Sequence, residues 1–123
     1  MIHIDFGFLL GTNPGGINFE KAPFKLTAEY VKILGGYNSD HFIYFKMLMF
    51  KGLMELRKHV KEVVYLIQIM KVNTELPCLL KFDIEIFERR FMENSTDTEL
   101  MYNVDRIINE SYNSWRTVHY DRF

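Results

Sequence analysis

The sequence has little of several features that would assign a protein to a class directly. Cys78 is its only cysteine, which excludes a disulfide framework and favours a reducing compartment. The formal net charge is −1, so no overall basic field indicates nucleic acid as a partner. No apolar run approaches the roughly 18 residues that a membrane-spanning helix needs, and the N terminus lacks the basic segment of a signal peptide. These absences predict a protein without disulfides, a nucleic-acid partner or a transmembrane segment.

The chain does have a large share of apolar residues to bury. Of its 123 residues, 48% are apolar and 15% are aromatic. This composition is too hydrophobic for a disordered chain, and the length corresponds to one domain or to a part of one. Residues 1–6 alternate between apolar and polar side chains, which predicts a short strand. Residues 7–23 contain four glycines and two prolines, which predicts a long loop, and loops of that length in compact domains are usually functional.

The sequence beyond this loop has helical periodicity, so we expect a mainly α fold. Thr27 is a candidate N-cap for a first helix, which Gly35 and Gly36 end. Two longer helices follow, with a break near residues 57–59, and we expect residues 57–61 to form an exposed charged face. The residues expected in the core of these two helices are Phe42, Phe45, Leu48, Met49, Leu53, Leu56, Val60, Val63, Val64, Ile67 and Met70.

Further helices are predicted in the last third of the chain. Pro77 disfavours helix at the residue before it, so residues 73–80 are predicted to be a connection. A short helix over residues 83–90 comes next. Thr96 and Glu99 have the spacing of a capping box, which predicts a last helix over residues 97–114.

The most unusual local feature is a carboxylate, Asp5, inside the apolar stretch "HIDFGFLL". A buried, unpaired carboxylate is costly, so Asp5 needs a partner. With Phe6 and Gly7 it forms an Asp-Phe-Gly sequence between a predicted strand and a long loop. This arrangement resembles the metal-binding corner of a kinase, where the aspartate holds Mg²⁺ against nucleotide phosphates. The tripeptide alone leaves another interpretation open, which is an aspartate at a strand end that accepts hydrogen bonds from backbone amides.

The resemblance extends along the rest of the chain. "PGGINFEKAPFKLTAEYVKILGG", "FKMLMFKGLMELRKHVKEVVYLIQIM" and "SWRTVHYDRF" resemble successive segments of the phosphatidylinositol 3-/4-kinase family. Within that family, the chain is most similar to the beta branch of the type III phosphatidylinositol 4-kinases. The resemblance implies the mainly α C-terminal lobe of a protein-kinase-like lipid-kinase domain, with a short N-terminal strand. Residues 1–123 would then comprise the Asp-Phe-Gly motif, an activation loop at about 7–27 and C-lobe helices at about 28–123.

The family resemblance also implies an activity. The enzyme would phosphorylate phosphatidylinositol at the inositol 4-hydroxyl for phosphoinositide signalling, with ATP as co-substrate and Mg²⁺ or Mn²⁺ as cofactor. Asp5 would bind the metal, and Ile4 would line the adenine pocket beside it. Lys21 and Lys25 would contact the lipid headgroup, although a loop lysine is more often simply solvated. The expected location is cytoplasmic and peripheral, on the Golgi or other endomembranes.

Several parts of a kinase are not visible in this sequence. The N-lobe and the catalytic loop with its base would lie upstream of Met1, so no catalytic base is assigned here. We therefore expect a fragment, inactive alone, whose partner is the missing N-terminal part of the same kinase. Two alternatives remain open: a fragment of a phosphoinositide 3-kinase-like enzyme, and a non-catalytic helical module left by truncation. The 3-kinase alternative is disfavoured because its loop usually carries clustered basic residues, whereas residues 8–27 contain only two lysines.

Overall fold

The structure, a computed structural model, describes residues 22–112 and residue 114. The predicted strand over residues 1–6 lies outside this part, as do Ile4, Asp5 and Lys21. The described residues are mainly helical, which confirms the predicted fold class, and their only β-type pairing is an isolated bridge between Leu26 and Tyr112. The helices are α1 Ala28–Ile33, α2 Asp40–Leu56, the 3₁₀ helix Arg57–His59, α3 Val60–Lys71, α4 Pro77–Leu80, α5 Ile84–Arg89 and α6 Asp97–Ser111.

Glycines end α1, as the sequence predicts. Gly35 and Gly36 have φ angles of 87° and 100°, a left-handed conformation that side chains disfavour. Their amides donate to the carbonyl oxygens of Lys32 and Val31 at 3.0 and 2.9 Å, the pattern of a Schellman motif. The start of α1 lies where it is predicted, with Thr27 at the N-cap position, but the Thr27 side chain makes no capping hydrogen bond.

Helix α2 packs against α6 and forms the main core of the described part. Ser39 caps α2 by accepting a hydrogen bond from the amide of Phe42 at 3.1 Å. Phe42 is fully buried because its side chain belongs to a cluster with residues of α6, α1 and the segment before α1. The buried members of this core are Leu26, Val31, Phe42, Val104 and Ile108.

The break between α2 and α3 lies where it is predicted, at the 3₁₀ helix Arg57–His59. The prediction of an exposed charged face at residues 57–61 is wrong for Arg57. The Arg57 side chain is only 18% exposed, because its guanidinium pairs with Asp97 and donates to the carbonyl oxygen of Ser95 at 3.0 Å. Val60 is buried in a second core cluster with Val64 and Phe91.

The predicted core residues of α2 and α3 are only partly buried. Val60, Val64 and Ile67 are buried as expected. Leu48, Leu56 and Met70, however, are 49%, 43% and 55% exposed. Helical periodicity identifies an apolar face. How much of that face is buried depends on which helices pack against it.

Two boundaries in the last third of the chain differ from the prediction. Pro77 begins the short helix α4 instead of lying in a connection, because proline at the first helical position needs no backbone donor. The capping box is confirmed: Thr96 Oγ1 accepts from the Glu99 amide, and the Glu99 carboxylate accepts from the Thr96 amide at 2.8 Å. Helix α6 ends at Ser111 rather than at residue 114, since Tyr112 turns to an extended conformation and pairs with Leu26.

Candidate functional site

The C-terminal end of α6 holds the segment where the predicted activation loop ends. The amide of Phe24 donates a hydrogen bond to Ser111 Oγ at 3.2 Å. Two residues further along the chain, Leu26 forms a parallel bridge with Tyr112, and its side chain is buried in the main core. The chain is therefore attached to α6 on both sides of residue 25. We call residues 24–26 the loop anchor.

Lys25 is the one predicted site residue within the part of the chain that the structure describes. It lies in the middle of the loop anchor, and its side chain is exposed, whereas Phe24 is half-buried and Leu26 is buried. This alternation is typical of an extended segment with one covered face. The structure thus places Lys25 at the surface, on backbone that is held from both sides. Ile4, Asp5 and Lys21 lie outside the described residues, so their positions relative to Lys25 are not described.

Ser111 is a site residue that the sequence interpretation missed. Leu100, Val104 and Ile108 form the buried stripe of α6, and Ser111 continues that stripe with 0% exposure. A buried hydroxyl needs a hydrogen-bond partner, and the Phe24 amide is one. The sequence does contain a signal for it. Position 111 has the helical spacing of the apolar stripe, yet its residue is a serine.

An aromatic cluster fixes Tyr112, the second contact of the loop anchor. The rings of Tyr37 and Tyr112 have centroids 5.2 Å apart, and Tyr37 also lies 4.7 Å from the Phe42 ring. The Tyr37 hydroxyl donates to the side-chain oxygen of Asn109 in α6. The position of Tyr112 is therefore tied to the turn between α1 and α2 as well as to α6.

A charged pair joins α2 to α6 next to this cluster. Lys46 Nζ lies 2.9 Å from an Asp105 oxygen and 5.1 Å from the centre of the Tyr37 ring. The hydrogen bond to Asp105 raises the pKa of Lys46, and this effect exceeds the lowering by burial. Lys46 thus stays protonated and holds the two helices together, which is a structural role and not a chemical one.

An open groove of about 1260 Å³ borders the loop anchor, with Ala22 and Pro23 at its edge. Its floor is apolar and belongs mainly to α2 and α6, and three arginines line it: Arg89, Arg90 and Arg106. Arg106 is engaged within the chain, because it pairs with Glu110 at 2.7 Å. Arg89 Nε donates to the carbonyl oxygen of Glu85 at 3.2 Å. Two of the three cations therefore have partners in their own helices.

The described residues offer no metal centre. No group of three or more His, Cys, Asp or Glu side chains among residues 22–112 and 114 is arranged to hold a metal ion. His59 lies 3.1 Å from Glu62 and 3.8 Å from Glu55, in an exposed group of ion pairs. The predicted metal ligand, Asp5, is outside these residues. None of the described helices is long and apolar enough to cross a bilayer.

Comparison with known proteins identifies the class. Residues 1–81 match the family model for phosphatidylinositol 3- and 4-kinases, which is well over half of the chain. The chain belongs to this family, and the predicted resemblance is confirmed.

Particular relatives are similar over the full length of this chain. Phosphatidylinositol 4-kinase beta of Xenopus laevis is 43% identical over 124 residues, covering 100% of this chain. The rat protein of the same name is 41% identical over the same length. A phosphatidylinositol 4-kinase of Dictyostelium discoideum is 41% identical over 125 residues. The chain spans only 15% of the length of the Xenopus and rat proteins and 11% of the Dictyostelium protein.

Proposed function

We propose that this chain is part of the catalytic domain of a phosphatidylinositol 4-kinase. The enzyme transfers the γ-phosphate of ATP to the inositol 4-hydroxyl of phosphatidylinositol at a membrane surface. The observation that carries this proposal is the identity of 40–43% over the whole chain to proteins named phosphatidylinositol 4-kinase beta. Because those relatives are named beta, we also propose a peripheral location on the Golgi or other endomembranes.

The proposed roles assign the Asp-Phe-Gly segment to ATP and its metal ion, and the activation loop to the lipid. Asp5 of the Asp-Phe-Gly motif is the metal ligand, and Ile4 contacts the adenine of ATP. The Mg²⁺ or Mn²⁺ ion supplies charge neutralisation at the phosphates. The catalytic base and the remaining nucleotide contacts come from other parts of the same kinase.

Lys21 and Lys25, in the activation loop at about 7–27, are proposed to contact the headgroup. Phosphatidylinositol carries one phosphodiester charge, and an ammonium group pairs with such a charge through a strong hydrogen bond. The exposed position of Lys25 on the loop anchor supports this role.

The test is Asp5→Asn in the full-length kinase. The substitution keeps the size of the side chain and removes the charge that balances the metal. We expect transfer from labelled ATP to phosphatidylinositol vesicles to fall by about a thousandfold or more. The matched control is Asp40→Asn, which removes the same charge from an exposed position in the first turn of α2. Its activity is expected to stay within about twofold of wild type.

The product decides between the functions. Chromatography that separates the 4-phosphate from the 3-phosphate is expected to show only the 4-phosphate. A 3-phosphate product would establish the 3-kinase alternative. If the full-length wild-type protein transfers no phosphate, the alternative of a non-catalytic helical module would be supported instead. Asp5→Asn with more than about a tenth of wild-type activity would refute the metal role of Asp5.

A further inference from the structure

The two contacts of the loop anchor lie immediately before and after Lys25. Ser111 Oγ accepts from the Phe24 amide at 3.2 Å, and Tyr112 pairs with Leu26. The partners are consecutive residues at the end of α6, the second longest helix of the described part. A short displacement of this helix end would therefore move the backbone of Lys25 as a unit.

The hydroxyl of Ser111 is not required for the packing of α6. The residue is 0% exposed and continues the buried stripe formed by Leu100, Val104 and Ile108. An alanine would fill nearly the same space without burying a polar atom, and an unpaired buried hydroxyl is unfavourable. What the hydroxyl adds is an acceptor for a backbone amide 87 residues away in sequence. Its effect is thus on the loop anchor and not on the interior of the helix.

Holding the backbone on both sides of Lys25 changes what binding requires of it. A lysine in a free loop loses backbone freedom when it pairs with an anion, and this loss weakens binding. At the loop anchor, that freedom is already lost on folding. An anion that binds Lys25 therefore does not have to order this backbone. Pre-organisation of this kind favours binding without changing the chemistry of transfer.

From this geometry we infer that Ser111 is a positioning residue for the lipid substrate, acting through Lys25. The inference rests on the proposed function, because it assigns Ser111 to the headgroup contact of that same site. It predicts that loss of the hydroxyl weakens the use of phosphatidylinositol, while the turnover at saturating lipid and the KM for ATP stay unchanged. We expect the loss of this one hydrogen bond between neutral groups to raise the KM for the lipid by about 3- to 10-fold.

The experiment compares variants of the full-length kinase on vesicles with a graded content of phosphatidylinositol. Ser111→Ala removes the acceptor. Thr96→Ala is the matched control, because it removes a hydroxyl from the capping box at the other end of the same helix and leaves the loop anchor intact. We expect Ser111→Ala to raise the lipid KM by about 3- to 10-fold and Thr96→Ala to leave it unchanged, although both lower the thermal stability.

A double-substitution cycle with Lys25→Met separates positioning from a general structural effect. Methionine keeps the length of the side chain and removes its charge. If Ser111 acts through Lys25, Lys25→Met raises the lipid KM by itself, and adding Ser111→Ala produces little further increase. Ser111→Thr, which keeps the hydroxyl, is expected to restore most of the wild-type KM.

Several results would overturn the inference. Equal lipid KM values for Ser111→Ala and Thr96→Ala would show that the hydroxyl does not position the loop. A full effect of Ser111→Ala in the Lys25→Met background would show that it acts elsewhere. If Ser111→Ala does not fold, Lys25→Met alone still tests the inference. An unchanged lipid KM in that variant would show that Lys25, through which Ser111 is inferred to act, does not contact the lipid. Failure of the proposed function is distinct, because the wild-type enzyme would then transfer no phosphate to phosphatidylinositol.

Discussion

At the scale of single residues, polar side chains add to the apolar contact between α2 and α6. Lys46 is the central one: it bonds Asp105 across the helix pair and lies over the Tyr37 ring. Its side chain is 26% exposed and that of Asp105 is 51% exposed, so solvent screens the pair in part. The contact is therefore modest in free energy but specific in geometry.

Replacing Lys46 with methionine is expected to loosen α2 from α6. A partly exposed pair contributes about 0.2–1 kcal/mol, so we expect faster amide hydrogen exchange in α6 that corresponds to a loss of that order. Because the pKa of Lys46 is raised, its contribution is present below the ordinary lysine pKa and is lost only as the pH rises through the folded value. Hydrogen exchange in the full-length kinase measures the effect, with Lys51→Met on the exposed side of α2 as control.

Asp105→Asn completes the cycle for this pair. If the two charges act together, the double substitution should cost no more than the larger single one. Strictly additive losses would mean that Lys46 acts through the Tyr37 ring and not through Asp105.

Single residues also show where reasoning from the sequence stops. Asp-Phe-Gly and the family resemblance are readable from residues alone, and the family is confirmed. The exposed position of Lys25 was not readable, because it depends on Ser111 and Tyr112, which lie far away in sequence. Leu48 and Leu56 were predicted to be in the core by spacing, yet they line the open groove. Periodicity specifies a face, whereas burial requires a neighbour.

At the scale of elements, the two ends of α6 are held by different chemistry. Its N terminus is held by the capping box, in which the Glu99 carboxylate accepts hydrogen bonds from the amide and the hydroxyl of Thr96. The bond from the amide is the main cause that lowers the pKa of Glu99. Its C terminus is held by the loop anchor. The contacts at the N terminus join residues that are close in sequence, whereas those at the C terminus join residues that are far apart.

We expect the capping box to make α6 sensitive to acid. Since the pKa of Glu99 is lower in the folded state, the contribution of its carboxylate is present above the ordinary value of 4.5 and is lost as the pH falls through the folded value. Glu99→Gln keeps the acceptor but does not titrate. Hydrogen exchange of the first turn of α6, followed as the pH falls below 4.5, is expected to accelerate relative to intrinsic rates in the wild type and less in the variant. Identical pH dependence in both proteins would mean that another group governs this end.

Element boundaries were predictable where local chemistry determines them. Gly35 and Gly36 end α1, and Thr96 with Glu99 begins α6, because each boundary is made by residues close in sequence. The end of α6 at Ser111 and the helix at Pro77–Leu80 were not predicted correctly. In the first case Tyr112 leaves the helix to pair with Leu26. In the second case Leu79, which is 1% exposed, anchors a turn that has little helical signal of its own.

At the scale of the whole molecule, the chain is a small part of what its relatives contain. It spans 15% of the length of the Xenopus protein, and its described residues hold no metal centre. The proposed reaction needs a base, nucleotide contacts and a metal ligand together. The helices α1 to α6 supply a scaffold, and the loop anchor held by α6 carries Lys25, the proposed lipid contact.

A polypeptide of these 123 residues alone is expected to transfer no phosphate. The reason is that the proposed base and most nucleotide contacts belong to other parts of the kinase. Purified polypeptide would be incubated with labelled ATP, Mg²⁺ and phosphatidylinositol vesicles, with the full-length enzyme as positive control. Turnover that follows the polypeptide through a final size-exclusion step would contradict the proposed division of roles.

The loop anchor also has a consequence for the synthesis of the protein. Phe24 and Ser111 are 87 residues apart, and ribosomes add about 5–20 residues per second. The backbone around Lys25 therefore waits about 4–17 s after its own synthesis before its partner exists. During that interval the earlier helices can form, but residues 24–26 lack their partners Ser111 and Tyr112. The loop anchor thus assembles only after α6 has left the ribosome, so the proposed lipid contact at Lys25 is held in place only near the end of the synthesis of this region.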